Sequence, residues 1–156
     1  MRHLKHLFKR PLQAVPNKLV AVLFMLAILG FADSSFLTIE HFKNTIPPCT
    51  TAGCETVLSS SYSVVAGVPV ALFGALYYLL IAIGLFAHIE GKHEPSLRIV
   101  LLCTVIGFSM SLWFLFVQAF ILNAYCMYCL GSAAISTILF ISSVYLLKNY
   151  RIPLHE

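Results

Sequence analysis

AYCMYCLGSAAISTILFISSVYLL, residues Ala124–Leu147, carries no acidic or basic side chain and is long enough, as a helix, to cross the ~30 Å hydrocarbon core of a bilayer. It opens on Cys126-Met127-Tyr128-Cys129, a CxxC pair. Residues three apart share a helix face, and a rise of ~1.5 Å per residue places Cys129 about one turn deeper than Cys126. Working outward, three more stretches have the same character: Leu19–Ile39, Val64–Ala87 and Ile99–Leu122. Only the first holds a formal charge, Asp33. The chain of 156 residues is 60% hydrophobic and 10% charged, where a soluble domain is about one quarter charged. The fold class is therefore an all-α membrane protein, a four-transmembrane-helix bundle forming one membrane domain over residues 1–156.

The net charge of +4 is an orientation signal, not a nucleic-acid surface. Arg2, Lys5, Lys9, Arg10 and Lys18 precede the first span, Lys92 and Arg98 flank the second connection, and Lys148 and Arg151 follow the fourth span. Nine of ten basic residues thus fall on one side, leaving Lys43 in the outer loop, residues 40–63. The positive-inside rule makes both termini cytoplasmic. Removal of residues 1–32 as a signal peptide would leave an odd number of helices, so the first stretch is expected to stay as a span.

The outer loop supplies the second cysteine pair. Pro47 and Pro48 hold the backbone extended, Gly53 permits a bend, and Cys49 and Cys54 can reach bonding distance. So short a ring removes little entropy from the unfolded chain, which favours an exchangeable disulfide over a staple. The segment Glu55–Tyr62 reads as a short interfacial helix with Cys54 at its N-terminus, where unpaired backbone N–H groups favour thiolate. Cys126, at the membrane boundary, can meet a thiol from the loop, whereas Cys129 faces the bundle interior. Two pairs on one predicted side point to thiol–disulfide exchange.

Other residues are weaker signals. A four-cysteine zinc site would need Cys129 to ligate from within hydrocarbon, and no metal is expected. Cys103, unpaired in mid-span, reads as packing. Phe73, Tyr77, Tyr78, Trp113, Phe114, Phe116, Phe120 and Tyr128 could line a planar lipophilic site or simply pack. Asp33 is costly in a span unless paired or wet, which suggests a polar role near the outer mouth.

The run Cys54-Glu55-Thr56-Val57-Leu58-Ser59-Ser60-Ser61-Tyr62-Ser63, then Gly67–Tyr78, and Tyr125–Cys129 resembles the vitamin K epoxide reductase family, in particular bacterial-type members without a fused thioredoxin-like domain. The resemblance covers nearly the whole chain. It implies a thiol:quinone oxidoreductase in which a separate thioredoxin-fold protein on the outer side (periplasmic, extracellular or lumenal) hands electrons to Cys49. Cys54 would then exchange with Cys126, and Cys129 would reduce the quinone, of menaquinone, ubiquinone or vitamin K type, with Ser60 at its pocket. Such a protein would sit in a bacterial plasma (inner) membrane and support disulfide formation in exported proteins. Ala133 stands where vertebrate members carry a tyrosine and Val70 near their pocket asparagine. Epoxide reduction in an endoplasmic reticulum membrane and a non-enzymatic, cysteine-stapled scaffold are the alternatives.

Overall fold

A computed structural model describes residues 16–49, 53–91 and 94–149. Of the nine basic residues behind the predicted orientation, Arg2, Lys5, Lys9, Arg10, Lys92 and Arg151 lie outside the described residues. Four helices are long and apolar enough to span a membrane: α1 (Asn17–Phe42), α3 (Val70–Gly91), α4 (Glu94–Phe116) and α5 (Met127–Asn149), with the short α2 (Cys54–Leu58) in the loop between the first two. The all-α four-helix reading holds, and the boundaries move for local reasons.

Helix α1 begins after Pro16 and ends before the prolines of the loop, because Asn44 takes a left-handed conformation (φ 54°) that terminates the helix. The second span starts at Val70, not at Val64 as predicted. Val64–Val65 (β1) and Val68–Pro69 (β2) instead pair antiparallel, Val64 with Pro69 and Val65 with Val68, around a turn in which Ala66 and Gly67 both have positive φ. Such a two-residue turn closes a hairpin, and β-branched residues favour its strands. Helix α4 begins at Glu94, ahead of its apolar span, Ile99–Ile121, and its far end widens into a π-helical turn, Val117–Ile121. The fourth starts at Met127, not Ala124, because Asn123 is left-handed (φ 49°) and the Ala124 N–H donates to the Gln118 carbonyl.

Helix α1 packs most extensively on α3, and the core runs through Val20, Leu23, Ala27, Tyr78, Ile81, Leu85, Leu139 and Leu146. At Gly30 an added Cβ would lie 2.6 Å from the Tyr78 ring, so glycine is what lets that ring lie against α1. The Tyr78 hydroxyl donates to the Ser132 carbonyl (2.8 Å), tying α1, α3 and α5 together at one level. Met25, Leu80, Ile106 and Ile141 face outward, as helix surfaces in lipid do. So do Phe73, Trp113, Phe116 and Phe120, which removes them from the predicted aromatic lining; Tyr77 and Tyr78 point inward.

Candidate active site

At one end of the bundle the loop folds back over the entrance of α5, and its local chemistry sets where each sulfur lies. The predicted helix over Glu55–Tyr62 is shorter: α2 stops at Leu58, and Ser61–Ser63 form a 3-10 turn. The serines cause the break. Ser59 Oγ donates to the Glu55 carbonyl (2.6 Å), Ser60 Oγ to that of Val57 (2.7 Å) and Ser63 Oγ to that of Ser60 (2.7 Å). Serine hydroxyls that bond nearby carbonyls in this way compete with continued helix.

Cys49 and Cys54 are joined as a disulfide, and Cys126 and Cys129 are free thiols. The Cys126 sulfur lies within 4.8 Å of both loop sulfurs. Cys54, Val57 and Cys126 form a small buried core, with Cys49, Leu58, Leu122, Ala124, Tyr128 and Cys129 packed around it. Cys126 is 0% and Cys54 1% exposed, while Cys49 is half-buried. Cys126 lies at the head of α5, beside the loop pair, and the loop covers it. A protein-sized reductant reaches Cys126 only through the loop pair. Three clustered sulfurs could also suggest a metal site, but two are bonded to each other and leave one thiol as a ligand.

Three residues hold this docking: Gln118, which the sequence reading did not assign, and Tyr128 and Gly53, for which it gave other roles. Gln118, buried in the π-helical turn, accepts the Cys126 N–H through Oε1 (3.0 Å) and so fixes the residue just ahead of α5. Wider π-helical turns often accompany functional sites because they redirect one side chain; the available signal was a single glutamine near the end of an otherwise apolar span. Tyr128, inside the CxxC, donates its hydroxyl to the Pro48 carbonyl (2.8 Å) and packs its ring, tilted, 5.7 Å from that of Phe36, clamping the loop to α1 and α5. Gly53 was expected to serve a bend, yet its φ is an ordinary −92°. Its role is contact: an added Cβ would come 2.5 Å from the Tyr125 nitrogen and 2.7 Å from its oxygen.

The electrostatics favour exchange at Cys126. The Cys129 thiol donates a hydrogen bond to Cys126, which with the backbone N–H groups of Cys129 and Tyr128 outweighs burial and lowers the Cys126 pKa to about 6. Cys126 is thus largely thiolate at neutral pH, the reactive form in exchange. Asp33 lies in the interior near both thiols, and its buried Oδ2 has no hydrogen-bond partner among the described residues. Cys103 packs against the main core, as expected of an apolar filler.

The description "Vitamin K epoxide reductase family" belongs to the family profile that matches residues 21–144. No curated protein matches the chain.

Proposed function

We propose, from the premise that the chain belongs to the vitamin K epoxide reductase family, that it is a membrane thiol:quinone oxidoreductase that takes electrons from a thioredoxin-fold thiol protein and supports disulfide formation in exported proteins. The observation that carries this reading is the position of the Cys126 sulfur, within 4.8 Å of both loop sulfurs, an arrangement suited to disulfide exchange.

In this scheme Cys49, the more exposed loop sulfur, forms the mixed disulfide with the partner. Reduced Cys54 attacks Cys126 of the oxidised CxxC pair and releases Cys129; Cys49 then attacks Cys54 and releases Cys126, leaving the loop oxidised and the CxxC pair reduced. A quinone, when bound, accepts two electrons and two protons. The residues around Cys129 suit such an acceptor: a half-buried thiol packed on the small apolar core of the loop, with the unpartnered Asp33 carboxyl oxygen acting on it from α1. Gln118 and Tyr128 position the pair, and the docked loop buries Cys126.

Purified protein in lipid should reduce one quinone for each disulfide formed in a reduced thioredoxin-fold substrate. Thiol oxidation that proceeds without quinone, or none at all, would return the loop disulfide to a scaffold role. A membrane-impermeant thiol reagent should label reduced Cys49 or Cys54 from outside intact cells; labelling only from the cytoplasmic side would contradict the proposed topology and partner.

Ser60 is proposed to border the quinone pocket. Its single proton goes to the Val57 carbonyl, so any contact with a quinone requires the hydroxyl to turn or to act as acceptor. Ser60→Ala is expected to lower quinone-dependent turnover while both disulfides still form. Unchanged turnover would confine the hydroxyl to the α2 corner.

A further inference from the structure

Asp33 is the one buried side-chain polar atom without a partner among the described residues, and its place in the bundle says what it can do. Buried polar groups are normally satisfied, so an orphan in a span calls for a physical reason. Gly30 lies one turn before Asp33 on α1, and Ser132 one turn after Cys129 on α5. Tyr78 joins those two positions, with its ring on Gly30 and its hydroxyl on Ser132. One turn further along α1, the Phe36 ring packs, tilted, against that of Tyr128. Asp33 and Cys129 therefore occupy one level, between a Tyr78 floor and a Phe36–Tyr128 roof. The ionisable groups on which the Asp33 charge acts across this space are Tyr78 from α3 and Cys126 and Cys129 at the head of α5. Tyr78 donates its proton to Ser132 and has none to offer Asp33. Glu40, by contrast, is engaged by Thr45 and Lys43.

We propose that Asp33, as a carboxylic acid, supplies one of the two protons taken up by the quinone. This deepens the thiol:quinone reading and rests on it. The reduced CxxC pair holds one proton, on the Cys129 thiol that donates to the Cys126 thiolate. Forming the Cys126–Cys129 bond releases two electrons and that proton, whereas converting a quinone to a hydroquinone consumes two electrons and two protons. Asp33 gives the second and becomes carboxylate, so the interior carries one negative charge before and after. When the loop dithiol next reduces the CxxC disulfide, it releases two protons; one returns to Cys129 and the other to Asp33. No proton need be drawn from solvent during quinone reduction.

The test uses the full chain in lipid, with Asp33→Asn and Asp33→Glu. Reduced-minus-oxidised infrared spectra, with dithiothreitol and diamide as the redox agents and no quinone present, should show a protonated-carboxyl band that is lost in Asp33→Asn and shifted in Asp33→Glu. Rapid oxidation of prereduced protein by a short-chain naphthoquinone should slow about 100-fold in Asp33→Asn, within the usual range for a lost general acid, and recover in part in Asp33→Glu. The wild-type rate should fall as rising pH ionises Asp33, a dependence absent from Asp33→Asn. No carboxyl band, a band that survives in Asp33→Asn, or an Asp33→Asn rate and pH profile equal to the wild type would overturn the assignment. A slower Asp33→Asn protein whose spectra match the wild type would overturn it as well, by assigning Asp33 to structure. Wild-type protein that reduces no quinone would refute the oxidoreductase reading itself, a result distinct from any of these.

Discussion

Cys126→Ala is expected to abolish quinone-dependent thiol oxidation, while Cys103→Ala leaves it unchanged. The argument is spatial. Cys126 is the CxxC sulfur in the cluster with Cys49 and Cys54, and it is wholly buried beneath the loop. Without it no bridge between the pairs forms, and Cys129 alone cannot make a disulfide within its own pair. Residual activity should be indistinguishable from the uncatalysed reaction of quinone with the thiol substrate. Cys49→Ala, Cys54→Ala and Cys129→Ala should each abolish turnover too, because every sulfur is used once per cycle. Cys103 packs against the core formed by α1, α3 and α5, and alanine there costs stability only. Quinone absorbance followed in the presence of reduced partner protein measures the difference. Turnover by Cys126→Ala at a tenth of the wild-type rate would show that electrons bypass the CxxC.

The second large effect is expected at a residue with no side chain. Gly53→Ala puts a Cβ against the Tyr125 backbone nitrogen and oxygen, and backbone atoms cannot swing aside as a side-chain tip can. The loop must lift, carrying Cys54 away from Cys126. Displacing reacting groups by about 1 Å can cost roughly 100-fold in rate, and we expect a loss of that order in electron transfer between the pairs. The Cys49–Cys54 disulfide should still form, since Gly53 has ordinary backbone angles. Gly131→Ala is the control: it lies in α5 with nothing within 4 Å of its added Cβ, and it should change neither rate nor assembly. Quenched-flow alkylation and mass analysis of the four cysteines reads the exchange step directly. An unchanged rate in Gly53→Ala would mean that loop docking does not limit exchange.

These two residues also show what the sequence makes legible. Four spans and two cysteine pairs follow from apolar length and spacing, because a lipid-spanning helix must satisfy its backbone internally and leaves a long uninterrupted signal. The apposition of the pairs depends on contacts distant in sequence. Gln118 reaches Cys126 only because a π-helical turn and a left-handed Asn123 redirect the chain, and neither has a period that a hydrophobic pattern reveals. Gly53 looks like a turn residue until the Tyr125 backbone is seen beside it. Helix starts shifted for a similar reason: a valine pair reads as span until an Ala66-Gly67 turn closes it into a hairpin. Asp33 was visible as an anomaly from its charge alone, but its neighbours Tyr78, Cys126 and Cys129 come from other helices.

The central claim is that the two pairs exchange through one defined bridge. Both loop sulfurs are near Cys126, but Cys54 is buried with it, whereas Cys49 is the more open and remains free for the partner protein. In Cys129→Ala the bridge that Cys126 forms by attacking Cys54 of the loop disulfide cannot pass on to a Cys126–Cys129 disulfide and reverts only through the released Cys49, so alkylating Cys49 should trap it. Non-reducing peptide mapping of that variant, purified from membranes, is the most direct measurement. A dominant Cys54–Cys126 bridge, with Cys49 free to be alkylated, is the predicted result; a dominant Cys49–Cys126 bridge would reverse the roles of the loop cysteines, and the absence of any bridge between the pairs would contradict the relay.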